Sequence, residues 1–300
     1  MSYSKAIELL LLSVAIIILS TAKISYSSFN PDKTYEKISF FSPVINKLLE
    51  KGADSIFIFE LLSNPKTNFN EKYVKINITG YLNKTDYSHN YNQISIRSCK
   101  KFLAENYYIL NEAEIKYDIP KEIITSILWI ESKHGTFLGE NHIPSVFFST
   151  AMADQERFIN LNLEVVKKKY FNDNETLLEL QQKIEERAKR KSEWALDELI
   201  NLNKIYNSYS IDVQNLKGSW AGAFGLSQFL PSSYINYAID GNKNGITNLF
   251  EIDDAIFSIS NYLNKNGWGK SDSAKRKAIF NYNNSNDYVD AVLNLAAKIK

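Results

Sequence analysis

Apolar and polar positions along this chain recur mostly at helical spacing, and strand-like alternation is scarce. Phe40–Leu49 (FFSPVINKLL) and Ser55–Leu62 (SIFIFELL) read as short amphipathic helices separated by Lys51-Gly52. Pro65–Asn92 is polar, and within it Tyr73–Ile78 (YVKINI) alternates as a short strand would. Ser95–Tyr117 keeps helical spacing through Ile96, Phe102, Leu103, Ile109 and Leu110. Ile119–Gly135 (IPKEIITSILWIESKHG) is an apolar helix opened by Pro120 and stopped by Gly135. An irregular Thr136–Ser145 leads to a helix from Val146. Arg157–Tyr209 is long and helical, with i,i+4 charge pairs such as Glu179/Lys183, Glu185/Lys189 and Glu186/Arg190. The pattern predicts a mainly α fold.

The N-terminus breaks this pattern. Leu9–Leu19 is an apolar run interrupted only by Ser13, preceded by Lys5 and followed by Ser20-Thr21-Ala22. That is the form of a secretory signal peptide cleaved after Ala22, with an uncleaved signal anchor as the alternative. Residues 1–22 are therefore expected to export the chain to the periplasm or cell envelope, 23–39 to be a linker, and 40–115 a helical N-terminal region. Residues 116–300 are expected to form one further domain. Lys plus Arg (35) nearly cancels Asp plus Glu (34), so no global basic field points to nucleic acid. The single cysteine, Cys99, has no partner for an internal disulfide and reads as a small buried apolar residue.

Four stretches carry candidate chemistry. On the Ile119–Gly135 helix, Ile124, Ile127, Leu128 and Glu131 share one face. A carboxyl that follows three aliphatic residues onto a buried face loses hydration, so its pKa rises and it can serve as a general acid. Lys217–Tyr237 (KGSWAGAFGLSQFLPSSYINY) is crowded with Gly and Ala, which permit close backbone approach, and Pro231-Ser232-Ser233 reads as a helix start with a hydroxyl cap. Asp240–Glu251 (DGNKNGITNLFE) fits a calcium loop, with Asp240, Asn242, Asn244, Asn248 and Glu251 offering side-chain oxygens and Ile246 a carbonyl. Gly245 supplies the sharp turn, and Asp253 and Asp254 can replace or supplement Glu251. Two charged side chains among those five imply modest affinity. Asn261–Asp290 clusters Tyr262, Trp268, Tyr282, Asn283 and Tyr288, aromatic and amide groups of the kind a sugar groove needs.

Taken in order, these stretches carry a resemblance. Glu131-Ser132 with Gly135, then GSWAGAFGLSQFLPSSY, then the oxygen-rich loop ending in Asp254-Ala255-Ile256, then NYLNKNGW and YNNSNDYVDAVLNLA, resemble the membrane-bound lytic transglycosylase B family. Its members are bacterial peptidoglycan-cleaving enzymes of lysozyme-like fold. The likeness is closest from Ile119 to Ala297 and looser from Phe40 to Ile115. It implies that Glu131 is the sole acid and base, cleaving between N-acetylmuramic acid and N-acetylglucosamine to leave 1,6-anhydromuramoyl ends. It implies a substrate groove containing Ser219, Gln228, Tyr262, Tyr282, Asn283 and Tyr288, a structural Ca2+ and no organic cofactor. Peptidoglycan strands are the implied partner, with cell-wall synthesis or remodelling proteins as further ones.

Two departures bear on specificity. The family's Pro-Arg-Arg motif is replaced by STAMADQERF, where Arg157 is the one basic residue, and the Met of its AGAMG motif is Phe224. Two rival readings are a catalytically silent, calcium-dependent wall-binding protein and a lysozyme-type hydrolase. A metalloprotease is disfavoured because Ile130-Glu131-Ser132-Lys133-His134 lacks the first His of His-Glu-x-x-His.

Overall fold

Helix supplies nearly all the regular structure, as the periodicity implies, and extended segments among the described residues are two residues long. The structure, a computed structural model, describes residues 31–82, 87–169, 174–208 and 211–300. The expected export segment, residues 1–22, lies outside them. The helices are α1 Pro31–Phe40, α2 Ser42–Glu50, α3 Ser55–Ser63, α4 Glu71–Thr79, α5 Gln93–Glu105, α6 Tyr107–Tyr117 and α7 Lys121–Ser132. There follow α8 Ile143–Ala151, α9 Glu156–Lys169, α10 Asn174–Asn207, α11 Pro231–Tyr237, α12 Ile252–Lys265, α13 Asp272–Tyr282 and α14 Asn286–Ile299.

Several local expectations change. Tyr73–Ile78 is helical, not extended: Asn70 caps α4 by accepting from the Lys72 N–H at 2.9 Å, and Tyr73, Val74, Asn77 and Ile78 are buried at helical spacing. Residues 31–39, expected as linker, belong to α1. Ser95–Tyr117 is two helices, broken at Asn106, whose side-chain amide takes the Phe102 carbonyl. The helix expected from Val146 begins at Ile143, where Pro144 suits a first turn. No hydroxyl caps α11, although Pro231 does open it.

Residue contacts divide the chain into two units that are not consecutive in sequence. The first runs to Leu82 and takes up Asn141–Leu216 and Trp220–Gly222; the second is Asn83–Glu140, Lys217–Ser219 and Ala223–Lys300. This differs from the expected boundary at residue 115, because 141–216 brings helices that pack on the N-terminal ones. In the first unit, Ile184, Ala188, Ala195, Leu199 and Leu202 give α10 an apolar stripe against α8, every residue of which is buried. Ser192 fixes the register of that pair by donating to the Ala151 carbonyl at 2.6 Å.

In the second unit α7 packs against α5 and α14. Ile124, Ile127 and Leu128 are fully buried there, as their shared face requires. Each such side chain contributes roughly 1.5–3 kcal/mol of burial. Val292 and Leu295 of α14 are fully buried, and Leu295 and Ile299 cluster with Cys99 of α5. Cys99 is thus the buried apolar residue expected, its thiol pushed up to about 12 by burial.

Candidate active site

The end of α7 positions the candidate acid. Gly135 is not the stop. Lys133 ends the helix in the left-handed conformation (φ 50°), followed by His134 (φ 55°) and Gly135 (φ 91°). Ser132 secures this tight end: its hydroxyl, fully withdrawn from water, donates to the Leu226 carbonyl at 2.8 Å and accepts from the Gly135 N–H at 3.0 Å. The last turn of the Glu131 helix is thereby tied to the Gly/Ala-rich stretch.

That stretch is a closed loop and not a helix. Phe224 and Phe229 exchange backbone hydrogen bonds of 2.9 and 3.1 Å, with Gly225 (φ 74°) and Gln228 (φ 49°) in left-handed conformations between them. At Gly225 a side chain would meet Leu249 Cβ at 2.6 Å, so only glycine permits the approach. Gly139 is equally constrained: an added Cβ would lie 2.2 Å from the Gly218 carbonyl oxygen. Gln228 donates to the Gly225 carbonyl at 2.8 Å and the Leu138 carbonyl at 3.3 Å, so its amide braces the two loops against each other. Ser219 closes a turn with Ala223, accepting its N–H at 3.1 Å.

Glu131 itself meets α14. The Tyr288 hydroxyl donates to Glu131 Oε1 at 2.6 Å. Tyr288 is 1% exposed. Burial pushes the Glu131 carboxyl up from 4.5 to about 7; the Tyr288 hydrogen bond and the positive charge of Lys133 act the other way and are smaller. A group with that pKa is substantially protonated at neutral pH, which a general acid needs.

An aromatic series surrounds it. Tyr282 lies parallel to Tyr288 at 6.5 Å and donates its hydroxyl to the Ser227 carbonyl at 2.5 Å. Tyr262 packs edge-on to Tyr282 at 4.8 Å, and its hydroxyl donates to the Asn281 carbonyl at 2.7 Å. Burial raises all three phenols, Tyr262 to about 12, so they stay neutral donors. Tyr87, which the sequence pattern does not single out, packs edge-on to Tyr288 at 5.7 Å. It also hydrogen-bonds Asn283 and feels Glu131. Its position in a polar, aperiodic stretch leaves no local signal for this.

Of the expected groove residues, Tyr282, Tyr288 and Asn283 come together around the candidate acid Glu131, with Tyr262 one ring further out. Gln228 and Ser219 shape the neighbouring loop. Arg157, the basic residue in the altered motif, belongs to the first unit, where its guanidinium lies 4.6 Å from the Phe40 ring and 4.4 Å from the Phe158 ring.

The calcium-like loop turns sharply at Lys243 (φ 60°) and Gly245 (φ 90°). Asp240 accepts the N–H groups of Asn244 at 3.1 Å and Gly245 at 2.8 Å, and Asn242 Oδ1 accepts from Asn244 at 3.0 Å. Glu251 accepts the side-chain amides of Asn242 at 2.6 Å and Asn248 at 3.1 Å. The five expected side chains are therefore knit into one oxygen-rich turn, and Ile246 lies within it, its N–H donating to Asn244 Oδ1 at 2.8 Å. Asp254 has a different place. Fully buried, it gives its oxygens to the backbone N–H groups of Gly241, Asn242 and Asn248 at 2.7, 3.4 and 2.5 Å, tying the loop's two ends. Among the described residues, no group of three His, Cys, Asp or Glu side chains gathers as a metal cluster.

The Glu131 carboxyl thus lies half-buried at the end of a helix, bonded by one tyrosine and flanked by others. The transglycosylase SLT domain family model matches residues 65–278, and the chain belongs to that family. The chain is 32% identical over 163 residues to membrane-bound lytic murein transglycosylase B of Escherichia coli. That match takes in 54% of this chain and 36% of the relative, so it spans about a third of the relative's length. Among solved structures, Escherichia coli lytic transglycosylase Slt35 in complex with calcium superposes with a TM-score of 0.65 at 21% identity, covering 86% of this chain and 92% of that one. Pseudomonas aeruginosa SltB3 in complex with NAG-anhNAM-pentapeptide gives 0.65 at 17% identity, covering 87% and 78%. The mainly α, lysozyme-like fold expected from the sequence is the one found.

Proposed function

We propose that this chain is a peptidoglycan lytic transglycosylase in which Glu131 serves first as acid and then as base. Glu131, protonated, gives its proton to the oxygen between N-acetylmuramic acid and N-acetylglucosamine as the bond to C1 breaks. The resulting carboxylate then takes the proton of the muramoyl C6 hydroxyl, whose oxygen closes on C1. The product is a 1,6-anhydromuramoyl end, and no water is consumed.

The observation that carries this reading is Glu131 itself, raised to about 7 and hydrogen-bonded by Tyr288, with no second carboxyl among the groups that shift it. The usual glycosidases need two carboxylates. Tyr288 holds one oxygen of the acid and leaves the other for the proton that moves. Tyr282, Asn283, Tyr262 and Tyr87 offer the aromatic faces and amide groups that pyranose rings and hydroxyls recognise. The Pseudomonas aeruginosa neighbours solved with NAG-anhNAM-pentapeptide and NAG-NAM-pentapeptide agree with a glycan substrate.

A structural calcium ion fits the Asp240–Glu251 turn. Its donors are all oxygen, and Asp240, Asn242, Asn244, Asn248, Glu251 and the Ile246 carbonyl would hold the ion, which would stiffen the loop and take no part in bond cleavage. Asp254 supports that set from behind. Export through residues 1–22 would bring the enzyme to its polymer in the cell envelope. Among the described residues no helix is long and apolar enough to cross a membrane.

Mass spectrometry of the products from purified protein and peptidoglycan, beside Glu131→Gln, tests the assignment. Muropeptides one water lighter than the hydrolytic product, resistant to borohydride and absent with Glu131→Gln, are expected. Reducible ends would instead mean a hydrolase, and wall binding without cleavage would mean a silent binding module.

A further inference from the structure

Lys133 holds a position that packing alone does not explain. It is the first residue beyond the Glu131 helix and adopts a left-handed backbone that residues with a side chain rarely take. Its ammonium donates to Asn90 Oδ1 and, at 3.2 Å, to the Trp129 carbonyl, and it lies 4.8 Å from the centre of the Trp129 ring. Asn90 is 3% exposed. All three partners are uncharged, while Lys133 and Glu131 feel one another's charge. A half-buried cation two residues beyond the candidate acid is therefore tethered, and its tethers are neutral groups.

We propose that Lys133 is a positioning residue for acid–base catalysis, a fixed cation that stabilises Glu131 as carboxylate when the proton leaves, yet is held off by Asn90 and Trp129 from pairing with it. This rests on Glu131 being the acid and base. A carboxyl in contact with a cation is lowered by about 1–3 units, enough to leave it ionised at neutral pH and useless as an acid. A cation at a distance gives the carboxylate a smaller bias, largest when the reaction creates that charge.

The surroundings isolate this effect. Tyr288 and Tyr282, from α14 and α13, and Tyr87 face Glu131 as phenols raised by burial. Cys99 of α5 faces Lys133 as a thiol pushed up to about 12. His134, stacked on Phe102 at 4.0 Å, is pushed down to about 4 by burial and is neutral above that. Asp287 acts on Tyr87. Near neutral pH, Glu131 is the group in this set that changes charge, and Lys133 is the cation acting on it.

The test is the pH profile of kcat/KM on peptidoglycan for the full chain and for Lys133→Gln, Lys133→Arg, Asn90→Ala and Glu131→Gln. Both Lys133 variants keep a side chain of similar length on the same backbone. Lys133→Gln should move the alkaline limb upward by about half a unit or more and lower kcat several-fold with KM little changed. Lys133→Arg should restore both. Asn90→Ala frees the ammonium to approach Glu131, so its limb should move the opposite way, and it serves where Lys133→Gln does not fold. An unmoved limb in the folded variants, with Glu131→Gln inactive, overturns the role of Lys133 alone. An active Glu131→Gln overturns the assignment of the acid, and this inference with it.

Discussion

Glu131 and Asp254 are both carboxyls drawn out of water within the second unit, and they are furnished in opposite ways. Asp254 receives three backbone N–H groups and sits in the first turn of α12, where the helix dipole favours negative charge. Glu131 lies at the C-terminal end of its helix, where the dipole disfavours that charge, and receives one phenol. Fixed donors make a buried carboxylate a structural anchor. Their scarcity leaves a carboxyl whose proton is loosely decided, which is what the proposed acid needs. The difference lies in which end of a helix each occupies and in how many backbone groups reach it.

The strongest way to break this contrast is at Glu131. Glu131→Gln should reduce turnover by on the order of a thousandfold or more, as loss of a general acid does. It should also make the protein more stable in alkali. The carboxyl is raised from 4.5 to about 7, so the folded chain holds a proton that the unfolded chain has released. Wild-type stability therefore falls as pH rises between those values, by on the order of 1–3 kcal/mol, and the Gln variant escapes that loss. Melting curves at pH 4 and pH 8 check the sign: the two proteins should agree in acid and part in alkali. A catalytically dead variant equally destabilised at both pH values would indicate misfolding.

Asp254→Ala is the converse. Three backbone donors lose their acceptor, which should cost about 3 kcal/mol in denaturant unfolding. The Glu131 titration read from the pH profile should stay in place. Calcium sharpens the comparison from the same loop: at a hundredfold excess over its Kd it should add about 2.7 kcal/mol, seen as a raised Tm that a chelator reverses. Asp240→Asn should abolish that rise. A melting curve indifferent to calcium would reduce the loop to a hydrogen-bonded turn.

The buried setting of Glu131 was legible in the sequence because its cue is local. Ile124, Ile127, Leu128 and Glu131 share a face by spacing alone, and burial follows from that face. The tyrosines were legible only as a motif, since no periodicity says that Tyr288 meets Glu131 across 157 positions of chain. Tyr87 and Lys133 carried no cue. Tyr87 lies in a polar stretch, and Lys133 gains its place from a left-handed turn where Gly135 looked the better helix stop. Tyr73–Ile78 misled for the opposite reason. Its alternation is real, but the Asn70 cap and the pocket taken by Val74 and Ile78 favour helix. The division into units escaped because contacts between 31–82 and 141–216 are non-local.

The smallest expected effect is the most specific. Tyr288→Phe keeps the ring that packs beside Tyr282 and Tyr87 and deletes only the hydroxyl on Glu131. That hydrogen bond favours the carboxylate, so without it the Glu131 pKa should climb further and the alkaline limb of kcat/KM should move up. The orienting contact is lost as well, and turnover should drop by about tenfold, near 1.4 kcal/mol. Global stability should change by less than about 1 kcal/mol, because the deleted donor leaves a carboxyl that can remain protonated. Asp254, with three donors, offers no such latitude. A Tyr288→Phe profile lying on that of wild type would mean that the hydroxyl only fills space, and that burial alone holds Glu131 ready as an acid.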